Sequence, residues 1–515
     1  MTFRTCVGTR VLRRSLCFVL FLAGVGLAAA PQPAAIFDVR SFGATGDGKT
    51  LDTEAINRAV TAARAAGGGT VRFPAGTYLS TSIHLQSHIG LFLDHGAVIE
   101  AAAHTVASYD EPEPNAWDQY QDFGHSHWHN SLIWGEGLDD VSIAGPGLIH
   151  GKGLVRVNDA PKGAGNKAIS LKNSRNVTIR DVSILHGGHF AILATGVDNL
   201  TIDNVRIDTN RDGIDVDACR NVRISNATIN SPFDDGICLK SSFGLGVARA
   251  TENVTITNCQ VSGYDEGSLL DGTFKRTVSY TRGPTGRIKF GTESNGGFKN
   301  ITIANCVFDY SRGLAIESVD GGRIEDVSIT NLTMRDIVNA PIFVRLGHRA
   351  RGPNNPPAGV IRRVHINNVV ASNVDASYGV LLSGIPGHPI EDLRLSGIRI
   401  AYRGGGTKAD AALELPEKED AYPEPDMFGR TPSYGLYARH VTSFGVHDAV
   451  FTVDQPDARP AVQLEDVAGA DLDNLSLQRA PGSPLFVLRQ VRDFLLRNSP
   501  ALPDTRRREV ARESF

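Results

Sequence analysis

Short stretches in which apolar and polar residues alternate recur through the middle of the chain. Period-two alternation over four to six positions, followed by Gly or Asn, predicts short β-strands joined by turns rather than helices. The phrase begins with Asn or Asp at Asn176-Val-Thr-Ile, Asn199-Leu-Thr-Ile, Asn221-Val-Arg-Ile, Asn253-Val-Thr-Ile, Asn300-Ile-Thr-Ile and Asp326-Val-Ser-Ile. Successive starts are 23, 22, 32, 47 and 26 residues apart, which indicates a unit of about 22 to 26 residues with insertions in two turns.

A strand-rich unit of this length cannot bury its apolar side alone, whereas a stack of such units can. We therefore predict an all-β fold, a right-handed parallel β-helix with an N-terminal capping helix. That helix begins at Asp52 or Thr53 and ends before the glycines at 67–69. Leucine-rich repeats would need a helical half, and propellers would need longer blades. Cys259 and Cys306 occupy the inward apolar position of their units.

The chain divides into three segments. Residues 1–30 combine early arginines, an apolar run and Ala28-Ala29-Ala30, which is typical of a signal peptide. We expect export to the periplasm or the extracellular space, with no stable membrane insertion after cleavage. Residues 31–500 form a single catalytic domain, and we expect residues 501–515 to be a disordered tail.

Composition narrows the partners of this protein. The 52 Lys and Arg residues nearly balance 56 Asp and Glu, and the formal charge of −4 argues against a nucleic-acid partner. The chain contains no Cys-x-x-Cys spacing that would indicate zinc. We expect a monomer without a cofactor or a metal.

The densest chemistry lies in two consecutive units. Asp212 precedes Asp235 by 23 residues, and Asp217 precedes Lys240 by the same number. One coil therefore brings Asp212 beside Asp234 and Asp235. Three carboxylates in one patch repel one another and raise at least one pKa, which suits the acid and base of a glycosidase. Solvated Asp-rich corners of a β-helix, or calcium ligands in its turns, are the alternatives.

At these residues the sequence resembles family 28 of the glycoside hydrolases, the polygalacturonase family. Asn210-x-Asp212 and Asp234-Asp235 match its N-x-D and D-D motifs, and the resemblance extends over residues 36–480. It implies an inverting hydrolase of a pectic polysaccharide or oligosaccharide of galacturonan or rhamnogalacturonan type. In that mechanism Asp234 is the acid, and Asp212 and Asp235 position the water.

Two motifs of the family are missing here. Thr285 stands where a His is expected, and Ala315 and Glu317 occupy the two cationic positions of its R-x-K motif. We expect Arg287 and Lys289 to replace that pair one coil earlier. Coils of 28 residues would place Glu317 beside Lys289 and would leave Arg287, opposite Ala315, free to meet the sugar. The expected substrate-binding side chains are Asn210, Lys240, Arg287, Lys289, His189 and Trp128.

One loop contains three histidines and a tryptophan, at 125–129. It favours sugar binding, with Trp117 or Trp128 stacking on a pyranose face, over a metal site.

Two other functions share the expected fold. A polysaccharide lyase would use Arg287 or Lys289 as the base for β-elimination. A non-catalytic β-helical protein would only bind carbohydrate. The N-x-D and D-D arrangement is better suited to hydrolysis, and insertions that crowd the coils near the aspartates are typical of a walled cleft.

Overall fold

The computed structural model describes residues 35–157 and 160–515. The predicted signal peptide at 1–30 lies outside these residues. Within the described part of the chain, none of the helices has the length and apolar character needed to cross a membrane.

The chain winds into a right-handed parallel β-helix, which confirms the predicted fold. In the first coils each turn contributes three strands, and each strand pairs in parallel with the equivalent strand of the next turn. Ile214 lies beside Ile237, and Asp217 lies beside Lys240, so the predicted offset of 23 residues is the observed register. The three tracks of strands form three faces around one apolar core.

The first face carries the polar cluster. Its ten strands are β5 (Ile83–His84), β8 (Ser131–Glu136), β11 (Lys167–Lys172), β14 (Phe190–Thr195), β17 (Asp212–Asp217), β20 (Ile237–Ser241), β23 (Ile288–Ser294), β25 (Leu314–Ser318), β27 (Ile342–Leu346) and β29 (Val380–Ser383).

The other two faces have eight short strands each. The second face consists of β1 (Ile36–Asp38), β3 (Gly69–Phe73), β6 (Ile89–Leu93), β9 (Asp139–Ala144), β12 (Arg175–Arg180), β15 (Asp198–Asp203), β18 (Arg220–Ser225) and β21 (Thr251–Thr257). The third consists of β2 (Asp47–Leu51), β4 (Gly76–Ser80), β7 (Ala97–Ala101), β10 (Leu148–His150), β13 (Ser183–Leu185), β16 (Arg206–Asp208), β19 (Thr228–Asn230) and β22 (Gln260–Ser262).

In the later coils the turns between faces become extended, and long bent strands run across more than one face. These strands are β24 (Phe298–Asp309), β26 (Arg323–Arg335), β28 (Val360–Val374), β30 (Ile390–Gly404), β31 (Leu436–Gln455), β32 (Val462–Leu477), β33 (Phe486–Arg497) and β34 (Thr505–Ser514).

The recurring asparagines form a ladder on the surface. The side-chain amide of Asn199 donates to the amide oxygen of Asn176 at 2.9 Å, and Asn221, Asn253 and Asn300 continue the series at 2.8–3.1 Å. Each of these five residues has a φ of 53–57°, in the left-handed region that Asn tolerates better than most residues. The repeat therefore marks a backbone turn as well as a stacked side chain.

The N-terminal end is covered by a helix, as predicted. Helix α1 (Thr53–Ala65) buries Ile56, Ala59 and Val60 against the first strands. Asp52 does not cap it with its side chain, because that carboxylate accepts from the backbone N–H groups of Thr45 and Gly46 instead. In the part of the chain that the structure describes, the other helical segments are the short α2 (Lys408–Ala411) and three 3₁₀ turns at Val39–Phe42, Asp118–Tyr120 and Pro425–Phe428.

The prediction of a disordered tail at 501–515 is wrong. Thr505–Ser514 forms β34, which pairs antiparallel with β33 and closes the last coil. Val510 faces the core, while most of the other positions of the strand carry arginine or glutamate. The density of charge suggested disorder, but one side of the strand is held by the backbone of β33.

All four described cysteines are free thiols. Cys259 and Cys306 are buried within the apolar core, as the repeat predicted. Cys219 also lies in that core, whereas Cys238 lies on the first face between Asp215 and Lys289 of neighbouring coils.

Candidate active site

Three aspartates converge on the first face of the β-helix. Asp212 begins β17, and Asp234 and Asp235 lie in the turn between β19 and β20, where adjacent side chains can face the same side. The two coils approach closely because Gly213 has no side chain: a Cβ there would stand 2.4 Å from the carbonyl oxygen of Gly236. The N–H of Gly213 donates to the carbonyl of Asp235 at 3.0 Å.

The three carboxyl groups line one cavity of about 260 Å³. One oxygen of each lies within 4.8 Å of an oxygen of the others. Asp212 and Asp235 are almost fully buried, whereas the side chain of Asp234 is 26% exposed. The cavity is lined by Asp122, Phe123, His125, His189, Arg211, Asp212, Asp234, Asp235, Lys240 and Tyr422.

The three carboxyl groups have different pKa values because their surroundings differ. Burial, followed by repulsion from Asp215 and Asp234, raises the pKa of Asp212 well above its ordinary value. Burial and the neighbouring Asp235 also raise the pKa of Asp234. Burial opposes the ionisation of Asp235 too, but Lys289 and Arg287 outweigh it and hold its pKa below the ordinary value. The three carboxyl groups therefore differ in acidity: Asp235 is more acidic than an ordinary Asp, and Asp212 and Asp234 are less acidic.

Arg287 and Lys289 hold Asp235 from behind the cavity. Nε of Arg287 lies 2.8 Å from Oδ1 of Asp235, and Nζ of Lys289 lies 3.4 Å from Oδ2. Both cations are only 2% exposed, and neither lines the cavity. The expectation that Arg287 is free to meet the sugar is therefore wrong, because its guanidinium is occupied by carboxylates of the protein.

The expected partner of Lys289 is present, although the register differs. Lys289 lies 3.5 Å from Glu317, as expected. The strands pair Lys289 with Ala315, so Arg287 is not opposite Ala315 and the offset is 26 rather than 28 residues.

A residue that sequence reasoning missed completes this network. Glu424 accepts hydrogen bonds from both terminal nitrogens of Arg287 and lies 2.9 Å from Nη1 of Arg312. It comes from the loop at 405–435 between β30 and β31, which also brings Tyr422 into the cavity. The sequence predicted a long loop there, but nothing in it indicated which side chains return to the aspartates.

A second buried network lies on the other side of the cavity. Nζ of Lys240 lies 3.3 Å from Glu293 and 3.8 Å from Asp215. His125 faces the same two carboxylates, with Nε2 3.2 Å from Asp215 and Nδ1 3.5 Å from Glu293. Burial alone would lower the pKa of His125, but Glu293 and Asp215 raise it. Lys240 was predicted, whereas the roles of His125, Asp215 and Glu293 were not.

The remaining predicted residues are distributed unevenly. His189 lines the cavity, and burial together with Arg211 lowers its pKa to about 2, so its ring is neutral. Arg211 lies 2.9 Å from Asp234, an ion pair that was also missed. Asn210 is half-buried and does not line the cavity, and its backbone carbonyl accepts from the N–H of Phe233.

The prediction that Trp128 stacks on a sugar is wrong. Its side chain is fully buried against Phe190 and Leu193, and Lys172 covers the ring at 4.4 Å. The backbone N–H groups of Trp128 and His129 bind the carboxylate of Glu113, which anchors the loop with Trp128 inward.

Among the described residues, three groups of side chains have ligand atoms close enough for a metal ion. They are Asp212 with Asp234 and Asp235, His125 with Asp212 and Asp215, and Glu113 with His129 and Glu136. Each has a cationic side chain against one of its carboxylates: Arg287 at Asp235, Lys240 at Asp215 and Lys172 at Glu136. These cations supply the positive charge that a metal would otherwise provide.

Comparison with known proteins identifies relatives of this arrangement. A family model described as glycosyl hydrolases family 28 matches residues 110–280, and one described as rhamnogalacturonase A/epimerase, pectate lyase-like, matches residues 36–109. The chain is 27% identical over 381 residues to a probable polygalacturonase of Vitis vinifera, covering 70% of this chain and 73% of the relative. It is 25% identical over 323 residues to an endo-polygalacturonase of Pectobacterium carotovorum subsp. carotovorum, covering 56% and 78%.

Solved structures share the fold. The family 28 exopolygalacturonase of Yersinia enterocolitica aligns with a TM-score of 0.62 at 17% identity, covering 87% of this chain and 79% of the other. A hyperthermoactive exopolygalacturonase from Thermotoga maritima aligns with a TM-score of 0.56 at 18% identity, covering 72% and 88%.

Proposed function

We propose that this chain, which is similar to the glycosyl hydrolases of family 28 over residues 110–280, is a glycoside hydrolase that cleaves a pectic polysaccharide or oligosaccharide by acid/base catalysis at Asp212, Asp234 and Asp235. The single observation that carries the proposal is the divergent acidity of these three carboxyl groups in one cavity. A glycosidase needs a protonated acid and an ionised carboxylate on either side of the bond it breaks.

Asp234 is assigned as the acid. Its raised pKa keeps a proton available, and it is the most exposed of the three carboxyl groups, so it can reach the oxygen of the leaving sugar. Arg211 at 2.9 Å takes up the negative charge that develops on Asp234 when it gives up its proton.

Asp235 is assigned as the base that activates water, with Asp212 orienting it. Asp235 is ionised, yet both of its oxygens face cations, Arg287 and Lys289. A carboxylate engaged in this way is a weak nucleophile towards carbon, which supports attack by water and inversion of the anomeric centre. A retaining mechanism is the second candidate, because an oxygen separation within 4.8 Å is nearer to the about 5–5.5 Å of retaining enzymes than to the about 6.5–9.5 Å of inverting ones.

The test is hydrolysis of a panel that contains homogalacturonan, rhamnogalacturonan and neutral glycans. We expect cleavage of a pectic member, products without an unsaturated uronate absorbance, and an initial product of inverted configuration by NMR. Absorbance from unsaturated ends would support β-elimination instead, and cleavage of neutral glycans alone would reject the pectic substrate.

Asp234→Asn tests the assignment of the acid. The variant should fold normally and lose about 10²–10⁴-fold in kcat, the usual contribution of a general acid. Asp118→Asn is the matched control, because that carboxylate pairs with His127 in the loop beside the cavity but does not line it. Wild-type turnover by the Asp234 variant would remove it from the mechanism.

The proposed location of the protein is based on its N-terminal sequence. The predicted signal peptide supports export of residues 31 onwards to the periplasm or the extracellular space, where pectic polymers are accessible. We expect the exported protein to act as a monomer, and size-exclusion chromatography with light scattering tests this.

A further inference from the structure

Glu317 is a buried acid that the mechanism above does not use. It lies on β25, its side chain is fully buried, and it does not line the cavity. Among the described residues, neither of its carboxyl oxygens has a hydrogen-bond partner. Its nearest charged neighbour is Lys289, whose Nζ lies 3.5 Å away. A buried carboxyl group without hydrogen bonds is costly to ionise, so its charge depends on that one cation.

Lys289 is shared between several carboxylates. Its Nζ lies 3.4 Å from Asp235, 3.5 Å from Glu317 and 3.9 Å from Glu424. Asp235 and Glu424 each bind Arg287 as well, whereas Glu317 forms an ion pair with Lys289 alone in the described part of the chain. When Glu317 is ionised, it therefore draws on a charge that otherwise acts on Asp235.

Strand β27, on the other side of Glu317, does not offer a second cation to it. Arg345 is in register with Glu317 on that strand. Its guanidinium donates instead to the hydroxyl of Ser383 and to the backbone carbonyls of Gly384, Glu417 and Lys418. Lys289 is therefore the cation that responds to the charge of Glu317.

The ionisation of Glu317 falls in the neutral pH range. Burial raises the pKa of Glu317 to about 7, although Lys289 and Arg287 oppose the rise. The carboxylates of Glu424 and Asp235 reinforce it. The same Lys289, together with Arg287, holds the pKa of Asp235 below its ordinary value.

We propose that Glu317 is a positioning residue that regulates the basicity of Asp235 by competing with it for Lys289. This inference rests on the proposed function, in which Asp235 is the base. While Glu317 is protonated, the charge of Lys289 acts on Asp235 and weakens it as a base. When Glu317 loses its proton, it shares that charge, and the pKa of Asp235 moves towards the working pH, where a base is more effective.

The first test compares the wild type with Glu317→Gln, which stays neutral at every pH. Both kcat and KM are measured between pH 5 and 8.5 on the cleaved member of the pectic panel. The ratio of wild-type to variant kcat should rise from about 1 at pH 5 to about 3 or more at pH 8.5, at equal KM. The titration of Asp234 occurs in both proteins and cancels in this ratio. A ratio that does not change with pH would overturn the inference.

Glu317→Asp is a second variant, and Glu325→Gln is the matched control. Glu317→Asp should keep a higher kcat than Glu317→Gln at pH 8.5, because it keeps an ionisable group beside Lys289. Glu325 lies on β26 and binds Arg362 at 2.7 Å, and this contact holds its pKa below the ordinary value. Glu325→Gln should therefore show a ratio that is independent of pH.

Thermal unfolding tests the ionisation of Glu317 without any substrate. The folded protein keeps the proton of Glu317 up to a pH of about 7, whereas an ordinary Glu loses it near 4.5. The stability supplied by that proton is complete below the lower value and is lost as the pH rises through the higher one. Glu317→Gln does not undergo this loss. Its melting temperature relative to the wild type should therefore increase by about 3 °C or more between pH 5 and 8.5.

The two proposals fail in different ways. If no pectic substrate is cleaved, the proposed function is wrong, and the unfolding experiment still decides whether Glu317 changes its charge near neutral pH. If a pectic substrate is cleaved but the kcat ratio is constant, the proposed function stands and the inferred role of Glu317 is wrong. A melting-temperature difference that is equal at both pH values would also overturn that role.

Discussion

Arg287→Ala tests whether this cation stabilises the fold and whether it also keeps Asp235 ionised for catalysis. The side chain is buried, and its Nε lies 2.8 Å from Asp235 while its terminal nitrogens bind Glu424. Breaking a buried ion pair on one side costs about 3–5 kcal/mol. We expect the lower end, about 3 kcal/mol of unfolding free energy, because Lys289 remains beside Asp235 and Arg312 remains beside Glu424.

The variant should also change the pH dependence of catalysis. Asp235 has a pKa below its ordinary value in the folded protein, so its contribution to stability is complete above the unfolded value, about 3.9, and is lost as the pH falls towards the folded one. Removing Arg287 raises the folded pKa. The acidic limb of kcat/KM should therefore move to higher pH, and kcat/KM should fall at least tenfold, about 1.4 kcal/mol.

The assays are thermal unfolding, and kcat/KM on the cleaved member of the pectic panel from pH 8 down to the lowest pH at which both proteins remain folded. Arg282→Ala is the matched control, since Arg282 binds Asp426 of the same loop at 2.7 Å but is 67% exposed, and such a pair is worth at most about 1 kcal/mol. An Arg287 variant with the pH profile and stability of the wild type would refute the view that this cation maintains the ionised base.

Two further predictions concern packing and turns. Trp128→Ala should lower the unfolding free energy by about 3–5 kcal/mol, measured by denaturant titration, with little change in KM, because the indole is fully buried; a large rise in KM at unchanged stability would restore its role in sugar binding. Asn253→Val should destabilise more than Asn253→Gly, by about 1–2 kcal/mol, because φ is 57° at this position and a β-branched residue is strained there. Equal melting temperatures for the two variants would show that the turn relaxes without cost.

The sequence predicted what its repeat encodes directly. The alternation of apolar and polar residues and the periodic asparagines identified the β-helix, and an offset of 23 residues brought Asp212 to Asp234 and Asp235. These features depend on one coil and its immediate neighbour. The prediction that Trp128 stacks on a sugar was wrong because the direction of a loop side chain depends on contacts such as that with Glu113. Glu113 has no fixed spacing from Trp128 along the sequence.

The contact between Glu424 and Arg287 could not be predicted for a related reason. Glu424 follows Arg287 by 137 residues and returns to it through a loop outside the repeat. Its contact with Arg287 is set by the path of that loop across several coils, and no periodicity reports it. Arg287 was therefore assigned to the substrate, because the pattern of the sequence contained no sign of Glu424, the carboxylate that binds it.

The antiparallel strand β34 has a consequence for how this molecule meets copies of itself. A stack of parallel coils ends in a row of unpaired backbone groups, which is a template on which another chain can add in the same direction. β34 runs against that direction, so it cannot serve as the first rung of a continuing parallel stack. Its exposed positions carry charges such as Arg506, Arg508 and Glu509, which oppose pairing with a further strand. Growth into a fibre is thus blocked at this end by the polarity of one strand and the charge along it.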